Sequence, residues 1–126
     1  MEKRIYYHDT DAGGVVYYGN YLKYLEEART EFLEKRGLGV LAFQKHGLLY
    51  AVSQCNIQYR SPARYGEILL CSATLKEITA VKLIFEQKIH EQKNKRLVAE
   101  AEVTLVCLNK EFKPTSLPED LKIKLL

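Results

Sequence analysis

The residues best suited to chemistry lie together near the N-terminus, in Tyr7-His8-Asp9-Thr10-Asp11-Ala12-Gly13-Gly14-Val15-Val16-Tyr17-Tyr18-Gly19-Asn20-Tyr21. This stretch holds two carboxylates, two adjacent glycines and the start of an apolar-periodic run. Glycine permits positive φ and close approach of a ligand to the backbone. A helix start offers unpaired N–H groups and the positive end of a dipole. Such donors polarise a carbonyl and hold an oxyanion. A carboxylate beside them can attack a carbonyl or activate water. The same residues admit plainer readings, which stay open on the residues alone. One is an Asx-type turn leading into a helix. Another is a metal site from His8, Asp9 and Asp11, although no later acidic ligands of an EF-hand loop and no His-x-x-x-His pair follow. A third is a phosphate cradle, for which no Gly-Lys-Ser/Thr is present.

The elements that must position these groups can be read from periodicity. Tyr21, Leu25, Ala28 and Phe32 recur at helical spacing, widened by Leu22, Tyr24 and Leu33, and predict a helix from about 20 to 36. Asn20 is its expected N-cap and Gly37 its stop. Val40 to Gln44 reads as one further turn. The period then switches to two. Strands are expected over residues 48–60, 67–78, 81–90 and 97–107, with a short one over 3–7, and their short connections predict antiparallel neighbours. Pro118-Glu119-Asp120 can open a short terminal helix. The fold class is therefore α+β: one long helix lying on a curved antiparallel sheet of about five strands. A single helix covers little of such a sheet, so the remaining surface and the sheet edges call for a second copy of the chain.

Composition bounds the rest. The chain has 126 residues, 47% apolar and 28% charged, which is one globular domain over 1–126 and neither a disordered tail nor a repeat. No apolar run is long enough to span a membrane, so no membrane insertion is expected. The N-terminus has no signal-peptide h-region, which makes the cytoplasm the expected location. The net charge of +3 is spread along the chain, and Lys93-Asn94-Lys95-Arg96 reads as a solvated turn rather than a nucleic-acid site. Three widely spaced cysteines, Cys55, Cys71 and Cys107, are expected as small core residues in a reducing compartment.

Asp9-Thr10-Asp11-Ala12-Gly13-Gly14-Val15-Val16-Tyr17, then Asn20-Tyr21-Leu22 and Glu26-Glu27-Ala28-Arg29, closely resembles the hotdog-fold acyl-CoA thioesterases. More narrowly, it resembles the branch containing 4-hydroxybenzoyl-CoA thioesterase and the YbgC-type enzymes. The resemblance extends over nearly the whole chain, through Gln58-Tyr59-Arg60-Ser61-Pro62-Ala63-Arg64 and the closing strand. It implies a sheet wrapped round the long helix, subunits joined edge to edge, active sites at the dimer interface, and a dimer or a dimer of dimers. It implies an acyl-CoA substrate and no metal or organic cofactor, coenzyme A being part of the substrate. The family's catalytic carboxylate falls on Asp11, acting as nucleophile or as general base, and its carbonyl-polarising backbone N–H falls on Tyr18. YbgC-type relatives often carry His where this chain has Tyr18, whereas 4-hydroxybenzoyl-type enzymes carry Tyr.

The supporting residues follow from what such a substrate needs. Tyr17 and Tyr21 are candidates for the acyl pocket, as half-buried aromatics in a chain with nine tyrosines. Asn20 either caps the helix or faces the site. The phosphates of coenzyme A need cations, for which Arg60, Arg64 and Lys82 are the candidates, with Lys88 beside them. Glu26 and Arg29, three apart on the helix, are expected to be structural or to sit at the dimer contact. Two further readings compete: a non-catalytic acyl-CoA or acyl-carrier binding module, and an interaction scaffold.

Overall fold

The computed structural model describes residues 1–126. In chain order the elements are β1 (Glu2–Arg4), α1 (Asn20–Glu34), α2 (Val40–Lys45), β2 (Leu49–Tyr59), β3 (Ile68–Cys71), β4 (Thr74–Ile78), β5 (Lys82–Glu91), β6 (Leu97–Leu108) and α3 (Glu119–Lys122), with 3-10 turns at Tyr7–Asp9 and Ile123–Leu125. The sheet order is β1-β3-β5-β6-β2, and β4 also pairs with β5. All pairings are antiparallel. This is the expected α+β arrangement. No helix is long and apolar enough to cross a membrane.

Helix α1 lies against one face of the sheet because its apolar stripe matches the sheet's inward alternation. Tyr21, Tyr24, Leu25, Ala28 and Leu33 are buried from the helix. Leu83, Phe85, Gln87 and Ile89 are buried from β5. Burying one such apolar side chain is worth about 1.5–3 kcal/mol. The first half of α1 packs on Ile5, Val16, Ala63 and Leu69. The second half packs on Phe43, Leu38 and the C-terminal Leu117, Leu121 and Leu125. The helix ends where Gly37 takes φ +72°, a conformation that favours glycine. There Leu38 N–H donates to Leu33 O at 2.8 Å.

Several elements differ from the expectation, each for a local reason. The strand expected over 67–78 is divided at Ser72 and Ala73 into β3 and β4. The Gln87 side-chain amide reaches from β5 to donate to Ser72 O at 3.3 Å, and Ser72 Oγ bonds the Lys88 backbone, so the ladder is broken there. Sequence neighbours β2 and β3 are not sheet neighbours: β2 crosses to the far edge and pairs with β6, Leu49 opposite Leu108 through Tyr59 opposite Ala99. Strand β1 stops at Arg4, because the Asp9 carboxylate folds the chain back onto Tyr6 N–H. Cys71 and Cys107 are buried as expected, but Cys55 is exposed. It lies on the edge strand β2, where Val52 and Tyr59 are also about half exposed.

Candidate active site

The start of α1 and the loop before it are joined by one residue. Asp9 is 6% exposed. Its Oδ2 accepts from Tyr6 N–H at 2.8 Å and its Oδ1 from Tyr24 Oη at 2.9 Å. Burial, and then the adjacent Asp9 carboxylate, push the Tyr24 hydroxyl far above its ordinary range, which keeps it a donor. The main-chain carbonyl of Asp9 accepts from Tyr17 N–H at 3.0 Å and from Asn20 Nδ2 at 3.0 Å. The Asp9 carboxylate is thus occupied by protein donors and does not combine with Asp11 and His8 as metal ligands; no group of three or more such side chains converges in the chain.

Between Asp9 and α1 the chain makes a tight excursion. Thr10 bridges Val16, Asp11 N–H donates to Val15 O at 2.9 Å, and Gly14 N–H returns to Asp11 O at 3.0 Å. Gly14 has φ +78°, which explains a glycine at the turn. Asp11 stands at the tip and is exposed. One of its carboxylate oxygens accepts Gly13 N–H at 2.8 Å in an Asx turn, and the other has no partner. The turn reading and the carboxylate reading of Asp11 therefore hold together, because one oxygen builds the loop while the other faces outward.

The helix begins with i→i−3 bonds. Asn20 N–H donates to Tyr17 O, Tyr21 N–H to Tyr18 O and Leu22 N–H to Gly19 O. The Tyr17 amide is taken by Asp9, so the N–H groups of Tyr18 and Gly19 are left with no acceptor in the chain. They are the free donors at the positive end of a 15-residue helix. Asn20 is not the side-chain N-cap; its amide is spent on Asp9 O. A Cβ at Gly19 would lie 2.7 Å from the Tyr17 ring, so a larger residue there would displace that half-exposed side chain.

The remaining expected residues divide. Tyr17 and Tyr18 are exposed beside the loop, with ring centroids 5.0 Å apart, and Tyr18 meets Tyr59 of β2 edge-on at 6.1 Å. Tyr21 lies in the core at 4% exposure, its hydroxyl accepting Ala63 N–H at 3.3 Å. Arg64 lies beside the Asp11 loop, bridged through its backbone to Val15, with its guanidinium exposed and in no ion pair. Arg60 ends β2 paired with Glu100 at 3.0 Å. Lys82 opens β5 at the opposite end of the sheet, seven residues from Ile89, or about 23 Å along the strand. One chain does not bring Lys82 to this loop. Lys88 is exposed on β5.

Some contributors gave little sign in the sequence. Arg96, within the presumed solvated turn, is half-buried and clamps the 61–67 segment, donating to Ser61 Oγ, Pro62 O and both carboxylate oxygens of Glu67. Arg29 turns from Glu26 to Gln87, donating to its Oε1 at 3.0 Å in the interior. Burial lowers the Arg29 pKa, and no carboxylate lies within ion-pair distance. Beside it, a cavity of about 230 Å³ opens between α1 and β2, bordered by Glu26, Thr30, Leu33, Tyr50 and Val52.

The sequence and the fold match known proteins. A family model described as the thioesterase-like superfamily matches residues 6–125. The acyl-CoA thioester hydrolase YbgC of Escherichia coli O6:H1 is 35% identical over 119 residues, spanning 94% of this chain and 88% of that protein. The crystal structure of a 1,4-dihydroxy-2-naphthoyl-CoA thioesterase from Synechocystis superposes with a TM-score of 0.90 at 26% identity, covering 99% of this chain and 93% of the other. A 4-hydroxybenzoyl CoA thioesterase variant, solved with 4-hydroxybenzoyl CoA, gives a TM-score of 0.92 over 100% and 96% of the two chains; at 21% identity it is a likeness of fold.

Proposed function

The chain belongs to the thioesterase-like superfamily and has its hotdog fold, and on that premise we propose that it is an acyl-CoA thioesterase using Asp11 as its carboxylate and the Tyr18 N–H as its carbonyl-polarising donor. The observation that carries this is the juxtaposition at the start of α1. Two main-chain N–H groups without acceptors stand in the turn that follows a loop presenting a carboxylate oxygen without a partner. A thioester carbonyl seated on the Tyr18 N–H is polarised, and the charge that develops on its oxygen meets a donor already in place.

Two routes use the same atoms. In one, an Asp11 oxygen attacks the carbonyl carbon, the C–S bond breaks, and coenzyme A leaves as the thiolate. Water then hydrolyses the mixed anhydride to the carboxylic acid and restores Asp11. In the other, Asp11 takes a proton from water as the resulting hydroxide attacks, and the proton passes to the departing thiolate. Both use Asp11 ionised, and neither draws on a metal or organic cofactor. Arg64 is the cation best situated for the coenzyme A phosphates.

A second copy completes the site in this reading. Strand β2 presents eleven residues along an unpaired sheet edge. Pairing it antiparallel with its own copy about a two-fold axis sets its Tyr59 end against the partner's Leu49 end. Tyr17 and Tyr18 of one chain then face the partner's cavity beside β2, where an acyl group is shielded from water.

The test is thiol release from a panel of short aliphatic, long aliphatic and hydroxybenzoyl acyl-CoAs, comparing wild type with Asp11→Asn at equal folded concentration. We expect turnover of at least one class and a loss of about 100-fold or more in kcat/KM for the variant, equivalent to about 2.7 kcal/mol. Equal turnover by the two proteins removes Asp11 from the mechanism, and no turnover by either favours an acyl-CoA binding module.

A further inference from the structure

We propose that Asp9 is the positioning residue that selects which amide is free to polarise the substrate carbonyl. The proposal rests on the thioesterase reading above and adds a residue to it. The bonds of Asp9 run in two directions. Its carboxylate is fixed by Tyr6 N–H from the preceding turn and by Tyr24 Oη from the second turn of α1, at 2.8 and 2.9 Å. Its carbonyl, thereby held in place, takes the Tyr17 N–H and the Asn20 side-chain amide, each at 3.0 Å.

The consequence lies in the order of donors. The opening turn of α1 presents successive amides at Tyr17, Tyr18 and Gly19, and the Asp9 carbonyl removes the first. The donors left free begin at Tyr18. The Asn20 amide, which would otherwise compete for the same space as a mobile donor, is held on the same carbonyl. Asp9 also stands two residues before Asp11, at the base of the same excursion, so one anchor fixes both the carboxylate loop and the donor. Nothing about Asp9 touches the reacting atoms: it is 6% exposed and both its carboxylate oxygens are occupied.

The experiment uses Asp9→Ala, Asp9→Asn and Tyr24→Phe in the full chain, with Asp11→Asn as reference. Asn at position 9 preserves the network, its amide oxygen accepting Tyr6 N–H while its amide nitrogen donates to a turned Tyr24 hydroxyl. On folded protein we expect Asp9→Ala to lose about 100-fold in kcat with KM within about threefold of wild type, the scale of a lost oxyanion donor, while Asp9→Asn stays within about tenfold. Tyr24→Phe, which keeps the core ring in place should Asp9→Ala fail to fold, is expected to lose about tenfold in kcat. Amide hydrogen exchange supplies a second readout: Tyr17 N–H should lose protection in Asp9→Ala and Tyr24→Phe, while Leu25 N–H in mid-helix keeps its own. Wild-type kcat in the folded Ala and Phe variants, or unchanged Tyr17 protection in both, overturns the proposal. A wild-type protein that releases no thiol overturns the thioesterase reading instead, and the exchange measurement then decides the role of Asp9 alone.

Discussion

Tyr24 and Cys71 are buried and Tyr50 is half-buried, and burial raises the pKa of each, the Cys71 thiol to about 12. In the unfolded chain a thiol titrates near about 8.5 and a phenol near about 10. Below those values both states hold the proton and stability is unaffected. Above them the unfolded chain releases protons that the folded chain retains, so stability falls as pH rises, by about 1.4 kcal/mol per pH unit for each group, until the folded pKa is reached. We expect the melting temperature to decline from about pH 9 and to steepen above about pH 10, where the tyrosines join. Burial raises the Cys107 thiol as well, so Cys71→Ala should make the first segment of that decline shallower without abolishing it; an identical profile from pH 8 to 10 would sink the assignment. The same scale shows what single residues disclosed. Asp11 and Tyr18 are singled out by the resemblance of residues 9–22 to a known family, whereas the residues alone offer two carboxylates, a glycine turn and a helix start with several readings open. Asp9 looked like half of a motif, since its importance lies in Tyr24, fifteen residues on. Cys55 was expected to be buried from its alternating neighbours, and only its place on an edge strand exposes it.

At the level of elements, α1 was legible because one stripe of apolar residues at spacings of three and four can face only one sheet. The division between β3 and β4 was not, because Ser72 breaks the ladder only together with a residue outside 67–78. That partner is Gln87, which alternates in register with the apolar residues of β5 and carries its polar group into the core, where it bonds Arg29, Leu25 O and Ser72 O. This side chain ties the helix to the broken strand and supplies the only acceptor of a guanidinium that is 7% exposed. Gln87→Leu keeps the volume but strands that charge, and should lower the unfolding free energy by about 3 kcal/mol in a urea titration. Adding Arg29→Leu removes the unpaired charge, so the double variant should be more stable than Gln87→Leu alone. A single variant within about 0.5 kcal/mol of wild type would show that water reaches Arg29 and that the pair does not tie these elements.

Over the whole molecule, the sheet has two very different edges. β1 is three residues long and gives little to pair with, whereas β2 is eleven residues long and its outer edge is unpaired. Long open edges are managed in soluble proteins by charge, proline or a covering element. Leu49 to Tyr59 contains no charged residue and no proline, and it presents Val52, 52% exposed, and Tyr59, 47% exposed, on the side of α1. A second β2, antiparallel across a two-fold axis, satisfies the backbone edge and covers those side chains at once. In the dimer proposed above it would also carry the cavity of one chain to the Asp11 loop of the other, making the association part of the chemistry rather than an addition to it. Cys55→Asp places a charge near the middle of this contact, at an exposed position outside the core clusters and outside the cavity lining. We expect the variant to sediment as a monomer, to keep its far-ultraviolet circular dichroism and its melting transition, and to lose acyl-CoA hydrolysis in proportion to the loss of dimer. A monomeric Cys55→Asp protein with full turnover would mean that Asp11 and Tyr18 need nothing from a partner, and an undissociated one would move the contact away from β2.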